Sequence, residues 1–300
     1  MLNIKRVLCP TDFSEYSEKA LKYAADLSIR FKATLFIQHV MEDVLTMVPD
    51  VYGSLTDFQS MREAYERDVI ERLQLSIGPE ISATTILGKG STAAEILKTA
   101  KEKDVDLIVM GSHGRKGLGR LVIGSVAEQI VKKAQCPVLT VCHLEHAPPR
   151  PLEFQRVLTA VDYSDHSLRA LEFALSFVED YQSELYLLHV IDHLAKPELA
   201  GFAYDPAHYE EREMEASRRR LRNMVPDELW SKYSIKPIAK IGHPYREITH
   251  TALSIAADLV IMGVVGHRAI GSTLFGSTTY RVIKEVHCPV LTIRGRKGET

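Results

Sequence analysis

Two glycine-rich stretches carry most of the chemistry this chain offers. The first, Gly111-Ser-His-Gly-Arg-Lys-Gly-Leu-Gly-Arg-Leu-Val-Ile-Gly-Ser125, follows the apolar run Asp106-Leu-Ile-Val-Met110 and leads into Val126-Ala-Glu-Gln-Ile-Val131. It reads as strand, loop and helix start, an order that suits phosphate. Glycines let the backbone approach a ligand, and the first turn of a helix offers unpaired N–H donors at the positive end of its dipole. Ser125 adds a hydroxyl beside those donors. The pattern returns as Gly263-Val-Val-Gly266, nine further residues, then Gly276-Ser277, behind Asp258-Leu-Val-Ile-Met262. One such loop is weak evidence. Two with the same Gly-x2-Gly-x9-Gly-Ser spacing favour phosphate binding over glycines that merely turn and pack.

Other chemistry is not indicated. The loops lack the Gly-Lys-Ser/Thr ending that fixes a lysine on the β- and γ-phosphates, so any hydrolysis is expected to be slow. The sequence holds no HExxH, CxxC or nucleophile elbow, and no catalytic residue or metal ligand is assigned. Cys9, Cys136, Cys142 and Cys288 read as reduced structural thiols. His39 and His189, beside the ends of inner strands, read as satisfied core or crevice histidines. The run Arg218-Arg-Arg220 shares a helix with Glu210, Glu211, Glu213 and Glu215, a mixed-charge solvated face, so no nucleic-acid partner is expected. With 45% hydrophobic and 25% charged residues, a formal net charge of -2 and no apolar run near the ~18 residues of a membrane helix, the composition is that of an ordinary globular protein. The expectation is a cytoplasmic protein without a membrane partner.

The elements that must position the loops follow from periodicity. Ile4–Cys9 is a short β-prone segment, Pro10–Ser14 a turn with Ser14 as helix N-cap, and Ala20, Ala24, Leu27 and Phe31 form one apolar helical stripe. Ala33–Val40 is a second strand, 58–75 a helix, Ile81–Leu87 a third strand, and Gly88–Thr92 a turn into the helix Ala93–Glu102. Asp106–Met110 is the fourth strand, Ser125–Ala134 a helix and Pro137–Cys142 the last strand. Strands alternating with helices imply a doubly wound parallel α/β sheet, and ligands in such sheets sit beyond the strand ends where the chain reverses across the sheet. Asp12 follows the first strand and Gly111 the fourth, so the order 3-2-1-4-5 places both in one crevice.

The plan then repeats. Arg156-Val-Leu matches Arg6-Val-Leu, Asp162-Tyr-Ser164 matches Asp12-Phe-Ser14, and His189-Val190 matches His39-Val40, all at one offset. From Gly242 onward the offset is two residues longer, and Cys288-Pro-Val-Leu-Thr292 repeats Cys136-Pro-Val-Leu-Thr140. The expected domains are 1–142 and 152–300, joined by a proline-containing linker at 143–151. The final strands, Pro137–Cys142 and Pro289–Arg294, are apolar edges within their own halves, and the halves are expected to cover them by packing together as a pseudo-dimer.

With Asp12, Val40, the Gly-x2-Gly-x9-Gly-Ser loop and the Cys-Pro-Val-Leu strand in this order, both halves resemble the universal stress proteins, here as a tandem pair. The nine-residue spacing is that of the family's ATP-binding members. The resemblance implies two Rossmann-like domains, with Asp12 and Val40, and Asp162 and Val190, at the adenosine end of a nucleotide. It also implies that Gly111, Gly114, Gly124 and Ser125, and Gly263, Gly266, Gly276 and Ser277, hold ribose and phosphates. The expected ligand is ATP, with Mg2+ as an optional companion, and homodimerisation is left open. The first loop carries Arg115, Lys116 and Arg120, whereas the second has His267, Arg268 and Ser272 in that span, so its loop brings less positive charge. Three functions remain open: a nucleotide-responsive stress or regulatory protein, a slow ATPase or self-phosphorylating enzyme on the same site, and an interaction module with little affinity for nucleotide. Segments 42–56 and 192–206, which leave the sheet beyond Val40 and Val190, are expected to act as lids.

Overall fold

Each strand–helix unit begins from the same local chemistry. In the computed structural model, which describes residues 2–41, 55–75, 83–113, 123–142, 152–192, 206–266 and 276–294, β1 (Arg6–Pro10) ends at a proline and a turn delivers Ser14 to the head of α1 (Glu15–Phe31). The Ser14 hydroxyl accepts the Ser17 N–H at 3.3 Å, and Lys32 closes the helix in the left-handed region at φ 52°. Ala20, Ala24 and Leu27 are buried, so the apolar stripe lies on the sheet. The chain continues through β2 (Thr34–Met41), α2 (Leu55–Leu75), β3 (Ala83–Lys89), α3 (Thr92–Glu102), β4 (Leu107–Gly111), α4 (Ser125–Lys133) and β5 (Val138–Val141). The second half runs β6 (Arg156–Ala160), α5 (Asp165–Tyr181), β7 (Glu184–Ile191), α6 (Pro206–Asn223), α7 (Asp227–Lys232), β8 (Ile235–Ile241), α8 (Pro244–Ser254), β9 (Leu259–Gly263), α9 (Ser277–Glu285) and β10 (Val290–Ile293).

The sheet order is β3-β2-β1-β4-β5-β10-β9-β6-β7-β8. Each half is therefore parallel with order 3-2-1-4-5, as the alternation of strands and helices implies, and β1 lies against β4 with Val7 opposite Leu107. Strands β5 and β10 pair antiparallel, Leu139 opposite Leu291, so the two apolar strands that would be edges cover one another and the edges fall to β3 and β8. Thr140 and Thr292 tie the seam further, each hydroxyl donating across it at 3.1 Å, to the Val290 and Val138 carbonyls. One core lies under α1 and α5 and runs across the seam through Leu27, Leu139, Phe154, Phe177 and Leu291, and a second lies on the opposite face under α3, α4, α8 and α9. The Arg30 guanidinium rests 3.8 Å from the centre of the Tyr181 ring, adding a cation–π contact between halves.

Repeated residues also hold the sheet at its far end. The Asp106 carboxylate accepts the Lys5 and Arg6 N–H groups at 2.8 and 2.9 Å, and Asp258 does the same for Gln155 and Arg156 at 3.0 and 2.8 Å. Two details differ from the pattern-based reading. Gly88 and Lys89 belong to β3, paired with Val40 and Met41, so the turn into α3 is made by Gly90, whose φ is +113°. Helix α7 carries no long apolar stripe and escaped the periodicity. It is held by Trp230, whose indole N–H lies 3.1 Å from both the Arg222 and Val225 carbonyls.

Candidate functional site

The crevice forms where the chain reverses between β1 and β4. Thr11 N–H continues the ladder to the Gln38 carbonyl at 2.8 Å, and the chain then leaves the sheet through Asp12. Asp12 Oδ1 accepts from the Ser14 N–H at 3.1 Å and from the Ser14 hydroxyl at 2.5 Å. This Asx turn forces the residue between them into the left-handed region, Phe13 at φ 60°. In the second half, Asp162 Oδ1 accepts from Ser164 at 3.1 and 2.6 Å, and Tyr163 stands at φ 64°. The repeated aspartate therefore has a structural task whether or not a ligand is bound.

The histidines are satisfied in the same way. His39 Nδ1 donates to the Thr11 carbonyl at 2.8 Å, and its ring packs 4.9 Å from that of Phe13. His189 Nδ1 donates to the Val161 carbonyl at 2.7 Å, with the Tyr163 ring at 4.5 Å. Burial pushes the His189 pKa below its ordinary value, so the ring is neutral at pH 7 and the hydrogen bond fixes its tautomer. Val40 is buried in the core and Val190 half-buried, each one residue before the end of its strand.

The glycines divide into two kinds. A Cβ on Gly111 would stand 2.9 Å from Tyr16 Cβ and 3.0 Å from its carbonyl carbon, and one on Gly263 would stand 2.8 Å from the His166 carbonyl carbon. These two admit the first turn of α1 and α5 onto the sheet, so packing alone demands them. Gly276 and Gly266 face the crevice itself. A Cβ on Gly266 would lie 2.6 Å from Asp162 Oδ2, and one on Gly276 would lie 3.0 Å from the Val264 carbonyl and 3.5 Å from Gly266 N. The aspartate, the second loop glycine and the last loop glycine thus meet in one bare-backbone cradle. Gly276 N–H donates to the Val264 carbonyl at 3.1 Å, and Gly124 N–H to that of Ser112 at 2.9 Å, which closes each loop onto its strand end. Gly124 and Gly276 are the N-caps of α4 and α9 and supply no side-chain cap, and Ser125 and Ser277 follow them exposed. Backbone donors at both helix starts are left for an anion, which fits the phosphates of a nucleotide. Gly114, the basic loop residues 115, 116 and 120, residues 267, 268 and 272, and most of the two expected lids lie outside the described residues.

The halves differ around this shared frame. In the first, the Ser112 hydroxyl and His113 Nδ1 are 2.9 Å apart and the His113 ring packs 5.2 Å from that of Tyr16. In the second, Val264 and Val265 replace the serine and histidine, and His166 replaces the tyrosine. Burial and then the charge of Arg294 push the His166 pKa down. The first half also has an open cleft of about 460 Å³ between the N-termini of α3 and α4, reaching from Ser91 to Gln129. This cleft was not read from the sequence, although the glycine at Gly90 and the hydroxyls of Ser91 and Thr92 beside it were its signal. Burial pushes the Cys9, Cys136 and Cys142 thiols up to about 12, which makes them poor nucleophiles. The described residues contain no group of three or more His, Cys, Asp or Glu placed to hold a metal ion, and no helix long and apolar enough to cross a membrane. Among the described residues, each crevice presents a helix start without a side-chain cap, at Gly124 and at Gly276.

Comparison with known proteins bears on the same elements. The model of the universal stress protein family matches residues 3–141 and again 153–294. The chain belongs to the universal stress protein family. Among its relatives, a universal stress protein of Methanocaldococcus jannaschii is 32% identical over 139 residues, 46% of this chain and 81% of that protein. One from Bacillus subtilis is 32% identical over 144 residues, 45% of this chain and 97% of that protein. The crystal structure of a universal stress protein from Archaeoglobus fulgidus superposes with a TM-score of 0.66, covering 98% of this chain and 97% of that one at 23% identity. That likeness extends across both halves and supports the fold.

Proposed function

We propose that this tandem universal stress protein binds adenine nucleotide, ATP foremost, in its two crevices and acts as a nucleotide-responsive stress or regulatory protein. The observation that carries the reading is the cradle in which Asp162 Oδ2, Gly266 and Gly276 converge, since a Cβ on Gly266 would stand 2.6 Å from that carboxylate oxygen and the N-cap of α9 has no side chain of its own. Asp12 and Val40, with Asp162 and Val190, would hold the adenosine end. Gly111, Gly114, Gly124 and Ser125, with Gly263, Gly266, Gly276 and Ser277, would frame ribose and phosphates. Mg2+, where present, would come with the triphosphate. The residues 1–142 and 152–300 are two domains in this reading, linked by 143–151 and joined as an intrachain pseudo-dimer through β5 and β10.

The test is mass spectrometry of small molecules released from freshly purified protein, followed by calorimetric titration with ATP, ADP, AMP and cyclic AMP. An adenine nucleotide in the extract and saturable heat on titration are expected. An extract without nucleotide, together with no heat from any of the four, refutes the assignment. Following conversion of ATP to ADP by the bound protein then separates sensor from slow enzyme.

A further inference from the structure

The residues that line the cleft between α3 and α4 have equivalents at the starts of α8 and α9, and these are of a different kind. Where Ala93 and Gln129 line it in the first half, Tyr245 and Arg281 stand in the second, and Ala94 becomes Arg246. The Arg281 guanidinium lies 4.5 Å from the centre of the Tyr245 ring. Arg246 Nε donates to the Tyr245 hydroxyl at 2.9 Å, and its guanidinium carbon is 5.7 Å from the same ring centre. One half-buried tyrosine therefore gathers two arginines. Arg281 is four residues beyond Ser277, on the same face of α9, and long helical side chains lean back toward the N-terminus, which points Arg281 at the helix start. The first turn of α4 contains Glu128, but the matching residue of α9 is Tyr280, and that turn has no acid.

These substitutions near the helix starts all move charge in one direction. At its N-terminal end α9 loses the carboxylate of Glu128 and gains the guanidinium of Arg281, α8 adds that of Arg246, and Glu285 stands where Lys133 ends α4; neither Arg246 nor Arg281 forms an ion pair among the described residues. Stacking on a ring immobilises a guanidinium without using its N–H edge, so the planar fork remains available for a phosphate. The second loop, poorer in basic residues than the first, thus has cations supplied from the helices instead.

We propose that Arg281, held on Tyr245 and backed by Arg246, grips the outer phosphates of a nucleotide in the second half and makes that site sensitive to phosphate number. The neutral cleft of the first half lacks this grip at the same place. The proposal rests on the nucleotide-binding reading above. It is tested in the full chain carrying Gly124→Val, which leaves the second half to report, by calorimetric titration with ATP, ADP and AMP before and after Arg281→Gln, the change to the first-half residue type. ATP should weaken by roughly tenfold or more, as expected for a lost charge-assisted hydrogen bond, AMP by less than twofold, and Arg281→Lys should retain part of the ATP preference. In the converse chain, Gly276→Val with Gln129→Arg, ATP should tighten relative to AMP. Equal weakening of ATP and AMP, or ATP affinity unchanged by Arg281→Gln, overturns the phosphate grip and leaves nucleotide binding standing. Failure of the wild-type chain to bind any of the three overturns both.

Discussion

Gly263→Ala tests whether the first loop glycine is required by packing. The residue ends β9 outside the left-handed region, so an alanine there meets no backbone strain, and its cost is steric. The new methyl would stand 2.8 Å from the His166 carbonyl carbon and Cβ and 2.9 Å from Ser167 N, where ordinary contact begins at 3.4 Å. The first turn of α5 would have to retreat by about half an ångström. Overpacking of this kind costs about 1–3 kcal/mol, and the lower chain entropy of unfolded alanine returns about 0.4–1 kcal/mol. A net loss of about 1–2 kcal/mol corresponds to a fall in Tm of roughly 2–8 °C for domains of this size. Thermal unfolding followed by circular dichroism reads it, with Gly111→Ala expected to behave alike because Tyr16 lies at 2.9 Å. Because Asp162 begins the same turn, the retreat should also weaken nucleotide in the second half. A Gly263→Ala protein that unfolds within 1 °C of wild type refutes the packing account.

Gly124→Val with Gly276→Val should leave the circular dichroism spectrum unchanged and abolish calorimetric binding of ATP, whereas unchanged stoichiometry would remove the phosphate loops from the site. Ser14→Ala and Ser164→Ala each remove an N-cap acceptor and a partner of the crevice aspartate, and each should cost about 0.5–2 kcal/mol in urea denaturation. The half-buried His189 has a depressed pKa, so the unfolded chain binds a proton that the folded chain refuses. Stability should therefore fall as the pH drops below about 6.5, by at most about 1.4 kcal/mol per pH unit from this group. His189→Gln should flatten the urea midpoint between pH 6.5 and 5, and an identical profile in the variant would show that another group sets the slope.

The strand–helix alternation, the two-fold repeat and the 3-2-1-4-5 order in each half were legible in the sequence. The alternation and the repeat follow from local periodicity, caps and turns, written in residues close along the chain, and the strand order was inferred from the requirement that Asp12 and Gly111 share one crevice. Ser14 as a cap and His39 as a satisfied crevice residue were legible for that reason. The tertiary structure alone decided three things. Gly111 and Gly263 are demanded by a helix lying against the sheet, a contact between residues roughly a hundred positions apart that spacing does not distinguish from a phosphate cradle. Covering of the apolar strands β5 and β10 was expected from the sequence, but their antiparallel register, Leu139 opposite Leu291, is one that a strand pattern cannot specify between halves. Arg246 and Arg281, on two different helices, meet at the Tyr245 ring only because α8 packs against α9.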